Sequence, residues 1–254
     1  MQTKLAADAI LGGRWRLERR LGEGADATLF AATDLRDGRL VALKALHAVL
    51  DDAARQRLRW EFMVLAAIDH PHLVRVFDLD TVEGHPFFTS ELLDGAAPTR
   101  LAALPPDERA RALCQLLAEV ASALEALHRR GLVHHDVKPS NLLVDGAGRT
   151  RLGDLGLSSL RGAAGGARGT PAYLAPEAFF GPGDARADLW ALGATAWALW
   201  SGAPPFAAAS LGELARAIRS ARPAPLHGAP AGLQQLVDRL LSVDPGARPP
   251  LSRS

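Results

Sequence analysis

Cysteine occurs once in the 254 residues, as Cys114. A single thiol cannot close an internal disulfide, and it cannot build a thiolate metal cluster. It falls in an Ala/Leu-rich stretch of helical character, which predicts a small buried hydrophobe rather than a reactive group. Net charge is equally scarce: 29 Lys and Arg against 28 Asp and Glu leave +1. That balance gives no electrostatic case for nucleic acid or an acidic membrane surface as partner. Long apolar runs are missing too. The longest, residues 189–200, falls well short of the roughly 20 residues that span a bilayer. The opening "MQTKLAADAILGG" lacks the apolar core and small-residue cleavage site of a signal peptide. These absences predict a soluble, cytoplasmic chain with no membrane segment.

What is present is ordinary globular composition, 48% apolar and 22% charged. The length is large for one core, so two lobes are a reasonable expectation. Residues 14–46 run as short alternating stretches broken by Gly pairs and Arg-Asp-Gly, which predicts three antiparallel strands with the second turn at Asp37-Gly38. In 51–69 the period changes, with Leu58, Leu65 and Ile68 at helical spacing, and the pattern stops before Pro71. Two further strands are expected around 73–79 and 87–92. "LLDGAAP" then breaks the pattern and marks a lobe boundary. Beyond it, 107–130 read as a long amphipathic helix opened by Pro106-Asp107 and closed by Gly131. Residues 185–201 read as a helix buried on all sides, and 233–241 as a last helix. "RGAAGGARG" (161–169) has the composition of a loop. The expected fold class is α+β. A small antiparallel β-lobe with one helix (14–93) precedes a larger, mainly helical lobe (94–254), with 1–13 as an extension.

Several residues carry chemistry. In "LGEGADA", Gly22 and Gly24 are compatible with a tight hairpin or with backbone N–H groups that approach phosphates closely. "VALK" sets Lys44 near the end of an apolar strand, either as a solvated strand end or as a cation for phosphate oxygens. Glu61, in the helix beside Trp60 and Phe62, is either an exposed helix residue or the acid that fixes Lys44. The stretch "HHDVKPSNLL" (134–143) is denser. It places Asp136, Lys138 and Asn141 on one short loop, and "LGDLG" puts Asp154 just after a predicted strand. Phosphoryl transfer from a nucleotide needs a carboxylate to orient the attacking hydroxyl, a cation near the moving group and oxygen ligands for Mg²⁺. Asp136, Lys138 and the pair Asn141/Asp154 supply these in turn. A polar loop of Asx turns is the alternative, and it leaves the Lys, Pro and Asn at these spacings unexplained.

In this order the motifs resemble the signature set of eukaryotic-type Ser/Thr protein kinases, of the kind also found in bacteria, from about Leu21 to Arg248. "LGEGADATL" resembles the Gly-rich loop, "VALK" the phosphate-binding Lys strand, and "WEFMVLAAIDHPHLV" the helix with its Glu. "HHDVKPSNLL" resembles the catalytic loop and "DLG" the metal-binding triplet. "GTPAYLAPE" (169–177) and "DLWALG" (188–193) resemble the end of the activation segment and the buried anchoring helix.

The resemblance implies an ATP- and Mg²⁺-dependent enzyme acting on Ser/Thr hydroxyls of protein substrates. Asp136, Lys138, Lys44 and Glu61 would be catalytic, and Asn141 and Asp154 would bind metal. Leu21, Gly22, Gly24, Leu29, Ala42, Lys44, Glu91, Leu93 and Leu143 would surround the nucleotide. It also implies a Glu177–Arg248 pair and a substrate ledge containing Thr170. Lys138, two residues after Asp136, is similar to the Ser/Thr rather than the Tyr class. The implied rivals are a nucleotide-binding pseudokinase or scaffold and a small-molecule phosphotransferase. The "GTPAYLAPE" segment argues against the last.

Three positions depart from the family pattern. His135 stands where most members carry the Arg that grips an activation-loop phosphate, and residues 161–168 hold no Ser, Thr or Tyr. Donor site and reader are missing together, so the segment is expected to work without loop phosphorylation, Ser158 and Ser159 being the nearest candidates. Ala27 replaces the third loop glycine and Leu155 replaces Phe in the metal-binding triplet, and neither removes a catalytic group.

Overall fold

The computed structural model describes residues 8–251 except 25, 96, 155–168, 182 and 221–222, and leaves out the side chains of 99 and 100. The chain divides into two units, Met1–Asp69 with Val74–Leu93, and His70–Leu73 with Asp94–Ser254.

The first unit is a six-stranded antiparallel sheet with one helix. Its strands are β1 (Ile10–Leu11), β2 (Trp15–Glu23), β3 (Ala27–Asp34), β4 (Leu40–Leu46), β5 (Val76–Val82) and β6 (His85–Glu91), in the order β1-β2-β3-β4-β6-β5. Alternation puts Trp15 and Leu17 of β2, Phe30 and Ala32 of β3, and Val41 and Leu43 of β4 into one core with Phe87. The β3–β4 turn falls at Asp37-Gly38 as expected, with Gly38 at φ +76° and Arg39 N–H donating to Asp37. Helix α1 (Asp52–Ala66) is capped by Asp51, which accepts from Ala54 N–H at 2.7 Å. Ala54, Leu58, Phe62 and Leu65 form its buried stripe.

The second unit is mainly helical: α2 (Pro106–His128), α3 (Ala185–Ser201), α4 (Leu211–Ser220) and α5 (Ala231–Leu240), with a small hairpin of β7 (Leu142–Val144) and β8 (Thr150–Leu152). Proline at the first position of α2 costs no hydrogen bond there. Leu113, Leu116, Leu117, Val120, Leu124 and Leu127 bury its apolar stripe. Helix α3 is buried from Ala187 to Trp200, capped by Asp184 and closed by Gly202 at φ +81°. Gly193 has a reason to be glycine, since a Cβ there would stand 2.7 Å from Leu240 Cβ on α5.

Four features differ from the sequence reading. Cys114 is exposed, not buried. It sits one residue past Leu113, about 100° around α2 and off the apolar stripe. The strand expected at 73–79 begins at Val76, because Leu73 is committed to a parallel bridge with Leu152 in the second unit. Helix α4 and strand β1 were not anticipated. Leu11 of β1 is buried in the first unit's core although it lies in the 1–13 stretch.

Candidate active site

The second unit builds its site on one buried carboxylate. Asp188, in the first turn of α3 and wholly inaccessible, accepts backbone N–H groups from His134 and His135 and the Nε2 of His128, each at 2.8 Å. Burial alone would raise its pKa. The His128 hydrogen bond, the neighbouring imidazoles and the His134 N–H outweigh it and hold the group below the usual carboxylate range. Asp188 thus fixes the start of the 134–141 loop on the most buried helix of the unit.

His134 extends this anchor. Its ring is buried, and burial lowers its pKa despite Asp188 and Asp136 nearby, so it is neutral at pH 7. Its Nδ1 accepts the Asp136 N–H at 3.2 Å, which leaves the proton on Nε2, 3.2 Å from the Gly153 carbonyl to which it donates. Gly153 N–H in turn donates to the Asn141 carbonyl at 2.8 Å. One imidazole and one backbone bond therefore tie the turn carrying Asp154 to the loop carrying Asp136 and Asn141.

The loop and residue 170 converge on Asp136, which is only 3% exposed. Its Oδ1 accepts from Thr170 N–H at 3.0 Å and Thr170 Oγ1 at 2.9 Å. Its Oδ2 lies 2.9 Å from Lys138 Nζ and 3.1 Å from Asn141 Nδ2. Lys138 Nζ also donates to Thr170 Oγ1 at 2.7 Å. Asn141 Nδ2 donates a second bond to the Asp136 carbonyl at 2.7 Å, so the amide oxygen points away from it. His135 adopts φ +63°, and Gly169 adopts φ +106° with its missing Cβ aimed at the His135 carbonyl oxygen. Any side chain at 169 would push the Thr170 segment off the loop. Asp154 is exposed and has φ +49°; Leu155, Ser158 and Ser159 lie outside the described residues.

Arg248 and Glu177 meet as expected, Nη1 to Oε1 at 2.5 Å and Nη2 to Oε2 at 2.9 Å. Leu143, half-buried in β7, pairs with Arg151.

The other residues singled out in the sequence belong to the first unit. Lys44 is half-buried in β4, opposite Leu29 of β3 and Phe88 of β6, with Nζ 6.0 Å from the Phe88 ring centre. Glu61 is half-buried on α1 rather than fully exposed. Ala42 is buried in register with Ser90. Glu91 donates its N–H to the Arg75 carbonyl at 2.8 Å, and Leu93 is half-buried. Leu21, Gly22 and Gly24 form the β2–β3 end, where Gly24 N–H closes the hairpin on the Ala27 carbonyl at 2.9 Å. Neither glycine has positive φ. A Cβ at Gly22 would meet nothing within 4 Å, and one at Gly24 only the Ala27 oxygen at 3.8 Å. The hairpin itself does not require glycine at either place.

Sequence reasoning missed Asp188 and His128, and it missed that Thr170 bonds Asp136 and Lys138 directly. The signal for Asp188 was available: an acid in the first turn of a helix that reads as buried on all sides must find donors.

A β-sheet unit with one helix, followed by a helical unit that holds an Asp-Lys-Asn loop against a buried helix, is the architecture of a protein kinase domain. The Protein kinase domain family matches residues 15–253, and the chain belongs to that family. It is similar to the DNA damage-responsive serine/threonine-protein kinase RqkA of Deinococcus radiodurans, 41% identical over 214 residues, which are 80% of this chain and 32% of that protein. It is 37% identical over 217 residues to serine/threonine-protein kinase Pkn1 of Myxococcus xanthus, 79% of this chain and 31% of that one. CBL-interacting protein kinase 30 of Oryza sativa subsp. japonica is 32% identical over 268 residues, 100% of this chain and 55% of its own length. The chain thus spans about a third of the first two relatives. No helix among the described residues is long and apolar enough to cross a membrane.

Proposed function

We propose that this chain transfers the γ-phosphoryl group of ATP to Ser and Thr hydroxyls of protein substrates. The observation that carries the proposal is the buried Asp136 carboxylate, ringed by Thr170, Lys138 and Asn141 at 2.9–3.1 Å. A substrate hydroxyl replaces one of these donors and gives its proton to Asp136 as its oxygen attacks phosphorus. The bond from the γ-phosphorus to the bridging oxygen breaks, and ADP leaves with that electron pair. Lys138, released from Thr170, offsets the charge on the moving group.

Lys44, with Glu61, takes the other phosphates. Gly22 and Gly24 admit backbone N–H groups close to them, a reason for glycine that the hairpin geometry does not supply. Leu21, Leu29, Ala42 and Leu143 contact the base, and the backbone at Glu91 and Leu93 reads its edge.

Protein kinases as a family use Mg²⁺ with ATP, and the residues present fit that ion. Asn141 has both amide hydrogens directed at Asp136, so it offers oxygen, and Asp154 offers carboxylate. Among the described residues no group of three or more His, Cys, Asp or Glu gathers, which suits an ion completed by phosphate oxygens and water. Bound there, Mg²⁺ would neutralise charge on the β- and γ-phosphate oxygens.

His135 in place of Arg, with no hydroxyl in 161–168, supports activity without loop phosphorylation. The domain is taken as 14–254, divided after residue 93, and Leu11 of β1 adds part of the 1–13 stretch to it. ATP as donor assigns its action to the cytoplasm.

The test is incubation with Mg·ATP and a generic basic protein. Phosphoserine and phosphothreonine should form, and Lys44→Met and Asp154→Asn should abolish them. Nucleotide binding without transfer by the native chain would overturn the proposal in favour of a pseudokinase.

A further inference from the structure

The four residues His70–Leu73 belong to the second unit, although the chain on either side of them belongs to the first. This connector lies along β8 and α2. Leu152 N–H donates to the His72 carbonyl at 2.8 Å, and Leu73 forms a parallel bridge with Leu152. Leu152 is fully buried, and Asp154 follows it by two residues. None of the four connector residues is assigned to phosphoryl transfer.

Two imidazoles hold the connector, and their tautomers follow from their partners. His70 Nδ1 accepts the His72 N–H at 3.2 Å, so its proton is on Nε2, which donates to Ser122 Oγ of α2 at 3.1 Å. His72 Nδ1 lies 2.9 Å from the Thr150 carbonyl, so it carries a proton and donates. Thr150 is gripped from its other side too, its N–H donating to Glu119 of α2 at 2.7 Å. The two rings are 5.7 Å apart, centre to centre.

Acid acts differently on the two rings. A second proton on His72 goes to Nε2 and leaves its bond to Thr150 intact. A second proton on His70 can go only to Nδ1, where it faces the His72 N–H, and two donors make no hydrogen bond. The acid-labile bond of this pair is therefore the one at His70. Glu125 of α2 favours a cation there, Glu119 faces His72, and Asp69, the chain neighbour of His70, is exposed. Strand β8 brings the uncharged Thr150 and Leu152 to the connector, with Arg151 between them on the opposite face. Burial and the charge of His72 oppose the His70 cation and prevail, holding its pKa below the ordinary value of about 6.5. At neutral pH the ring is uncharged and the bond is made. It is lost as pH falls from about 6.5 through the depressed folded value.

We propose that His70 is a proton-released latch on the connector: in acid its Nδ1 stops accepting the His72 N–H, the turn opens, and β8 loses the support that steadies the strand leading to Asp154. The latch itself is independent of the kinase reading. Its consequence, a weaker hold on Mg·ATP in acid, rests on that reading through Asp154.

The experiment compares the native chain with His70→Asn and His70→Ala between pH 7 and pH 5. Asparagine supplies an oxygen that accepts from the N–H two residues on, as in an Asx turn, and has no proton to gain. Alanine offers no acceptor at any pH. In amide NMR spectra the His72 N–H proton of the native chain should move upfield along the titration of the His70 ring, with one midpoint for both. In His70→Asn it should not follow pH, and in His70→Ala it should stay upfield throughout. Hydrogen-exchange protection at Leu152, taken relative to the α3 amides so that unfolding of the whole unit cancels, should fall about tenfold in the native chain, the weight of one hydrogen bond. It should hold in His70→Asn and be low at every pH in His70→Ala. Mg·ATP should bind the native chain and His70→Asn equally at pH 7. At pH 5 it should bind the native chain about fivefold more weakly than His70→Asn. Comparing proteins at one pH removes the titration of the nucleotide itself.

A His72 amide that ignores the His70 titration, or that moves equally in His70→Asn, would overturn the proposal. So would Leu152 protection that falls only in step with α3, or equal Mg·ATP affinities of the native chain and His70→Asn at pH 5. If neither protein binds nucleotide at any pH but the amides behave as described, the kinase reading falls and the latch stands.

Discussion

Arg248 and Glu177, separated by 71 positions, form a two-point ion pair with the guanidinium side chain fully buried. The same guanidinium donates to the carbonyls of Arg186 at 2.8 Å and Ser242 at 3.0 Å, and it lies 5.3 Å from the Trp190 ring centre. One side chain thereby fastens the turn at Pro176–Phe179 to the start of α3 and the segment after α5.

Breaking this pair should be costly. Glu177→Ala strands a buried cation, and the expected loss is about 3 kcal/mol, at the low end for buried pairs because Glu177 keeps some contact with water. Arg248→Ala should cost a similar amount, and the double variant less than the sum by about 1 kcal/mol or more. Urea unfolding of the four proteins measures this. Simple additivity would mean the two residues are not energetically coupled.

Gly169 and Gly193 are both glycines for steric reasons, with different consequences. Gly169→Ala drives a methyl into the His135 carbonyl and should displace Thr170 from Asp136, lowering kcat by about 10²-fold if the shift approaches 1 Å. Gly193→Ala presses on Leu240 and should cost about 1–3 kcal/mol of stability, with kcat per folded molecule unchanged. Steady-state kinetics beside unfolding curves separate the two.

Stability should fall as pH drops from 7 to 5. His134 has its folded pKa depressed by burial, so below the unfolded value of about 6.5 the unfolded chain binds the proton and the folded chain resists it. His70, also depressed by burial, acts in the same direction. Asp188 belongs to a lower window, since its depressed pKa gives stability that is lost only as pH falls through its folded value. His134→Gln should be less stable at pH 7 but show a shallower slope between pH 7 and 5. An unchanged slope in urea midpoints would exclude His134 as the source.

The sequence read some of these elements well and others poorly, for local reasons. Helix α3 was legible to the residue because a run that is apolar from Leu189 to Trp200 apart from Gly193 and Thr195 lies between an Asp cap and a Gly stop. The Asp37-Gly38 turn carried its own signal. Helix α4 went unread although its signal is present: Leu211, Leu214 and Ile218 stand at helical spacing against Glu213, Arg216 and Arg219. Val76 began a strand that the apolar run seemed to start at Leu73, because the buried Leu73 pairs elsewhere. At the site, Asp136, Lys138 and Asn141 were legible because they are close in sequence. The bonds of Thr170 and Asp188 to that loop were not, because each reaches it from more than 30 residues away.

Loop phosphorylation is expected to be dispensable. Phosphatase-treated protein, and a Ser158→Ala/Ser159→Ala double variant, should keep native transfer rates to a protein substrate. Loss of activity on dephosphorylation, regained with phosphate on either Ser, would restore the usual switch that His135 in place of Arg argues against.

The most direct measurement is single-turnover transfer by Asp136→Asn, with nucleotide affinity determined on the same sample. Asparagine keeps the size of the side chain but cannot take the hydroxyl proton. The expected result is native affinity for Mg·ATP with transfer slowed by about 10²–10⁴-fold. Transfer at the native rate would contradict the assignment of Asp136 as the proton acceptor, and with it the mechanism.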